Sequence, residues 1–132
     1  MGTTSSTLLG RLGRGILIIV AVAATLAVAW TWLAYSWAYS EGERAGILQK
    51  FSKKGWLCKT YEGEIAQYVV GGVAPQIWYF SVRDDELAER LFKDVGQNVQ
   101  VRYTEHRGLP TSCFGDTPHF AVSVTPIPSV TR

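Results

Sequence analysis

The residues able to do chemistry are few, and four of them crowd one stretch: His106, Cys113, Asp116 and His119. Imidazole, thiolate and carboxylate are zinc-ligand types. Structural zinc sites, however, bring close ligand pairs such as C-x2-C, and the chain has none. Cys113 beside His119 has the composition of a nucleophile and its base. The only other cysteine is Cys58, so a single structural disulfide in an oxidising compartment is the simpler use, with two buried free thiols as the alternative. The lack of C-x-x-C argues against thioredoxin-like exchange. Glu62 and Glu64 lie two apart on an expected strand and hence on one face. Paired acids of hydrolases usually come from separate elements facing across a cleft, so these two are expected to decorate an exposed strand, and the histidines to sit in exposed loops. The expectation is no catalytic residue, no metal and no cofactor.

One basic cluster stands out: Lys50, Lys53, Lys54 and Lys59. With Arg107 and Asp116 it forms a candidate binding rim, set against the plainer reading of a solvated hairpin turn. Close to a membrane, such lysines attract anionic headgroups by about 1 kcal/mol per well-placed charge. Across the chain, 13 Lys and Arg face 11 Asp and Glu. The excess comes from Arg11 and Arg14 near the start, which leaves the chain from Glu41 onward formally neutral. A neutral domain lacks the basic surplus that phosphate-backbone binding exploits, so nucleic acid is not an expected partner.

Between Arg14 and Glu41 no residue is charged. This run, taken as residues 16–39, would form a helix of roughly 36 Å against a hydrocarbon core of about 30 Å. Trp30, Trp32, Tyr35, Trp37 and Tyr39 fall in its second half, where amphipathic rings favour the headgroup boundary. Residues 1–15 read as a cytoplasmic tail and 16–39 as an uncleaved signal-anchor, with a cleaved signal peptide ending near Ala38-Tyr39-Ser40 as the alternative. Arg11 and Arg14 favour a cytoplasmic N-terminus and a periplasmic domain. Arg44, Lys50, Lys53 and Lys54 count the other way, but a long following domain translocates largely regardless of charge. Ala23 and Ala27 give a small-xxx-small spacing through which the helix could self-associate.

Residues 40–128 are expected to form one small domain, with 129–132 as a tail. Ala45–Ser52 reads as a short strand and Ser52–Gly55 as a turn. Trp56–Val70 reads as a long strand bent at Gly63, and Gly71–Gln76 as a loop. Ile77–Arg83 is the clearest strand. A helix follows, capped by Asp84 or Asp85 and ended by Gly96, with Leu87, Ala88, Leu91, Phe92 and Val95 as its apolar stripe. Val99, Val101 and Tyr103 alternate in a fourth strand, and Phe120, Val122 and Val124 in a fifth. The class is mainly β with one helix (α+β), in the order β-β-β-α-β-β, which is the arrangement of a five-stranded OB-like barrel.

Ser40–Gly46, Phe51–Gly55, Lys59–Glu64, Phe80–Val82 and Gly115-Asp116 together resemble an uncharacterised family of short bacterial single-pass membrane proteins, whose members often carry the label 6-phosphogluconate dehydrogenase. The resemblance implies no catalytic residues. A dinucleotide site needs a βαβ unit with glycines at a helix start. The glycine cluster Gly10–Gly15 has another spacing and leads into the apolar run. The expected role is a membrane-anchored, non-catalytic interaction module of the cell envelope that binds an envelope protein or surface component. The alternative is a domain binding an oligosaccharide or lipid headgroup at the membrane surface, with exposed Tyr61 or Trp78 as its mark.

Overall fold

The structure is a computed structural model and describes residues 4–68 and 74–128. Residues 1–3, positions 69–70 of the expected second strand, 71–73 of the expected loop and the tail 129–132 lie outside the described residues.

Helix α1 runs Thr4–Ser36. It takes in Arg11 and Arg14 and stops before Trp37, so it begins earlier and ends sooner than the uncharged run. Its segment Thr7–Ser36 is long and apolar enough to cross a membrane and is not buried by the rest of the chain. Residues 37–39 alone separate it from β1 (Ser40–Lys54). Strands β2 (Thr60–Gln67) and β3 (Gln76–Val82), helix α2 (Asp85–Lys93), and strands β4 (Asn98–Glu105) and β5 (His119–Pro126) follow. The order β-β-β-α-β-β is therefore present.

The five strands form one mixed sheet in the order β1-β2-β3-β5-β4, and β4 also pairs with β1. All neighbours are antiparallel except β3 and β5, joined through Ser81–Phe120 and Val82–Ala121. β1 is far longer than the expected 45–52. Ser40–Ile47 pairs with β4 and Ile47–Lys54 with β2, and a register shift between Leu48 and Lys50 turns the strand from one partner to the other. The expected bend at Gly63 is thus on β1 instead. Gly63 has a different duty: a Cβ there would come within 2.3 Å of the Phe80 ring, which lies over it on the neighbouring strand.

The expected turn Ser52–Gly55 is mostly strand, and the turn falls at 55–59, where a strand had been expected. Trp56 and Leu57 mimic strand residues by type, yet both are wholly exposed. The next residue, Cys58, is bonded to Cys113, which draws this segment out of the ladder.

Asp84 caps α2 by accepting from the Glu86 amide at 2.9 Å. Leu87, Ala88 and Leu91 are buried against Leu48, Ile65, Phe80, Val99 and Val101. Phe92 and Val95 are not part of the buried stripe, though Phe92 meets Phe51 edge-on at 4.7 Å. The helix ends at Lys93, and Gly96 beyond it donates its amide to the Leu48 carbonyl at 2.7 Å. On β5 the expected alternation breaks. The register passes from Arg102–Ser123 to Tyr103–Ala121, so Val122 is the extra residue of a bulge and faces outward, while Ala121 takes the core position.

The ends of several strands meet beside the last turns of α1. Tyr39 donates its amide to the Glu105 carbonyl at 2.7 Å, and Ser40, Glu105 and His119 lie in register across β1, β4 and β5. The 55–59 turn and the 106–118 loop leave this same end.

Candidate functional site

The 106–118 loop is built around two polar anchors. On the helix side, buried His106 lies with Nδ1 3.2 Å from the Ala34 carbonyl and Nε2 3.1 Å from Thr104 Oγ1. A carbonyl only accepts, so Nδ1 carries the proton and Nε2 accepts from the threonine. The Ala34 carbonyl is among those a helix end leaves without an intrahelical partner. Nearby, Trp30 Nε1 donates to the Gly108 carbonyl at 3.1 Å, and the Tyr35 and Phe114 rings meet at 5.6 Å. Gly108 adopts φ +79, and a Cβ there would come within 3.3 Å of the Trp30 ring.

On the sheet side, Glu62 is 8% exposed. Its Oε2 accepts from Ser81 Oγ at 2.6 Å and its Oε1 from the Asp116 amide at 3.0 Å. Ser81 Oγ in turn accepts from the Thr117 amide at 3.2 Å. Thr117 Oγ1 stands 2.9 Å from Ser81 Oγ and 3.0 Å from the His119 carbonyl. The expectation that Glu62 decorates an exposed strand is therefore corrected. Its carboxylate is the buried acceptor that holds the loop to β2 and β3, whereas Glu64 is partly exposed and pairs with Lys50 at 3.5 Å. Register pairs Glu62 with Ser81 but could not reveal the burial, because the second donor, the Asp116 amide, comes from a loop more than fifty positions away.

The histidines are likewise not exposed loop residues. His106 is buried, and His119 is half-buried against Trp78 and Tyr103 at ring distances of 5.5 and 5.4 Å. Burial lowers the His119 pKa from its ordinary value, opposed by Glu105 and reinforced by Arg44 and Arg107.

Cys58 and Cys113 form a disulfide, their Cα atoms 4.9 Å apart. The bond staples the 55–59 turn to the 106–118 loop and consumes both thiols. Of the four residues that could suggest a metal site, Cys113 is bonded, Asp116 pairs with Lys54 at 2.9 Å, and His106 has the partners described above.

The candidate rim is partly assembled. Lys54 and Asp116 bridge the two loops, and the Asp116 carboxylate raises the Lys54 pKa. Lys53 lies over the Tyr61 ring at 4.8 Å and donates to its hydroxyl at 3.2 Å; that hydroxyl donates to Asp85 at 2.9 Å. Lys59 is exposed close by and shares with Lys53, Arg83 and Asp85 the lining of one cavity of about 400 Å³. Lys50 is set apart on the outer row Lys50–Glu64–Tyr79, which register carries across β1, β2 and β3. Arg107 also stands apart, bound to Glu105 at 2.7 Å and stacked on Tyr39 at 4.0 Å. Sequence reasoning missed Arg83. Its guanidinium lies 4.1 Å from the Tyr35 ring and 3.7 Å from Phe120, with Nε and Nη2 buried and without a hydrogen-bond partner among the described residues. Burial lowers its pKa, against the pull of Tyr35.

The aromatic marks expected of a sugar-binding face are not free. Trp78 is buried, and Tyr61 is half-buried between Lys53 and Asp85. The glycines at 10, 13 and 15 lie inside α1 and not in a strand-to-helix turn.

Residues 37–125 match a domain of unknown function (DUF8785). No curated protein and no solved structure matches the chain.

Proposed function

The chain belongs to the DUF8785 family, and from that premise we propose that it is a membrane-anchored, non-catalytic interaction module of the bacterial cell envelope. In this reading α1 spans the inner membrane with its N-terminus in the cytoplasm, and the domain stands in the periplasm as a small OB-like barrel. The parallel β3–β5 pair, the return of β4 to β1 and the helix between the third and fourth strands support the barrel. The disulfide suits an oxidising compartment. Ser81, whose hydroxyl is bonded to the buried Glu62 carboxylate, is itself fully buried and engaged in loop closure, which favours a structural use over a nucleophile. The glycines inside α1 give no support to a dehydrogenase.

The observation that carries the reading is the docking of the 106–118 loop on α1 through Trp30, Ala34 and Tyr35. It gives the domain one orientation above the bilayer and turns the row Lys50–Glu64–Tyr79 outward. Tyr79 is 54% exposed on the β2–β3 face through which OB-like domains bind. The test is a photo-crosslinking residue at position 79 in intact cells, with position 89 on the exposed side of α2 as control. A discrete adduct with one periplasmic or membrane protein from position 79 alone supports the role. No discrete adduct, or a cytoplasmic partner, refutes it.

A further inference from the structure

Two neighbouring concavities share Tyr35 and Phe114 on their walls. The first is an apolar groove of about 540 Å³ between α1 and the loop, lined by Val28, Thr31 and Tyr35 on the helix and Pro110 and Phe114 opposite. The second is the 400 Å³ cavity that holds Lys53, Lys59, Arg83 and Asp85. The groove follows α1 from Ala27 to Tyr35, a distance of roughly 12 Å at the helical rise. On a spanning helix it therefore begins at headgroup level and descends into the acyl region. Three cations against one carboxylate sit at its open end, and that carboxylate already accepts from Tyr61. Arg83 lines this cavity with its guanidinium held against the Tyr35 and Phe120 rings, which fixes a positive charge at the junction.

Hydrocarbon depth below, uncompensated positive charge above and a continuous wall between them match one kind of molecule. The geometry points to a site for a single anionic phospholipid at the junction of α1 and the domain, with an acyl chain against Val28 and Thr31 and the phosphate among Lys53, Lys59 and Arg83. The assignment rests on α1 spanning a bilayer, as proposed above, and is independent of any protein partner. Trp56 and Leu57, wholly exposed on the stapled turn at the same end of the domain, flank the site at the level where such side chains favour the bilayer interface.

The test places the full chain in nanodiscs of equimolar phosphatidylglycerol and phosphatidylcholine, then reads retained lipid by native mass spectrometry after release into detergent. The wild type retains one phosphatidylglycerol per chain in preference to phosphatidylcholine. Lys53→Gln with Lys59→Gln lowers that preference about tenfold. Lys93→Gln with Arg102→Gln removes the same charge elsewhere and leaves it unchanged. Val28→Trp fills the groove and abolishes retention of either lipid, while an intact disulfide on a non-reducing gel and an unchanged melting transition show that each variant is folded. The assignment is overturned if the lysine pair has no effect, if the control pair has an equal one, if Val28→Trp retains lipid, or if a second copy of the chain occupies the groove. Failure of the chain to enter nanodiscs at all refutes the span, and the site with it. Entry without a retained lipid refutes the site alone.

Discussion

His106 donates from Nδ1 to the carbonyl of Ala34 at 3.2 Å, joining the first residue after β4 to the last turn of α1. Replacing it with alanine leaves that carbonyl and the Thr104 hydroxyl without their partner, a loss of about 1–3 kcal/mol. Amides of the 106–118 loop should then exchange with solvent at least several-fold faster in bilayer-embedded protein, with β2 and β3 unaffected. Equal protection in the variant would show that the docking does not depend on this bond.

The disulfide joins residues 55 positions apart. In the chain-entropy account, closing a loop of that length is worth about 4 kcal/mol. Cys58→Ser with Cys113→Ser should lower the unfolding free energy in urea by an amount of that order. The wild type should take up an impermeant thiol reagent in intact cells only after impermeant reduction. Labelling without reduction would mean that the bond is not formed in the cell.

Two carboxylates bound near one another should differ sharply in importance. Glu62→Ala orphans Ser81 Oγ and the Asp116 amide in a buried setting, and should cost about 1.5–3 kcal/mol. Lys54→Met breaks the ion pair with Asp116, but those side chains are 55% and 43% exposed, so the cost should stay below about 1 kcal/mol. Denaturant unfolding of the two variants decides the matter, and equal losses would contradict the assignment of Glu62 as the loop's anchor.

Stability should also decline in mild acid. Burial holds the folded His119 pKa below the ordinary value of 6.5. The unfolded chain therefore binds more protons between the two values, and stability is lost as pH falls from 6.5 through the folded pKa. Unfolding free energies measured at pH 7.5 and 5.5 should converge in His119→Gln. An unchanged slope would place the titration elsewhere.

Much of this architecture is legible in the sequence because its signals are local. The uncharged run, the Asp84 cap before Leu87, Ala88 and Leu91, and the aromatic run at β3 each declare their element within a few residues. The errors share another cause. Trp56 and Leu57 are apolar by type, yet they stand exposed on a turn held by the bond from Cys58 to the distant Cys113. Glu62 alternates like a surface residue, and it is closed over by the Asp116 amide from a loop far along the chain as well as by Ser81 on the neighbouring strand. Arg83 closes what looks like an ordinary strand, and its neighbours Tyr35 and Phe120 are distant in sequence. Of the candidate rim, Lys53, Lys54, Lys59 and Asp116 could be read from proximity along the chain and loop, whereas Lys50 and Arg107 are drawn off by Glu64 and Glu105.

The divided pairing of β1 bears on how the protein is made. Its first half, Ser40–Ile47, has β4 as its partner, and 51 positions separate Ile47 from Asn98. At a synthesis rate of about 5–20 residues per second, that stretch takes roughly 3–10 s to emerge. If α1 spans a membrane as proposed, the nascent chain throughout that interval carries an open strand edge within a few residues of the lipid surface. Such an edge is a template for wrong pairing. Glu41 and Glu43 occupy one face of this stretch, alternating with Gly42 and Arg44 on the other, charges that make a poor surface for another strand until the correct one arrives.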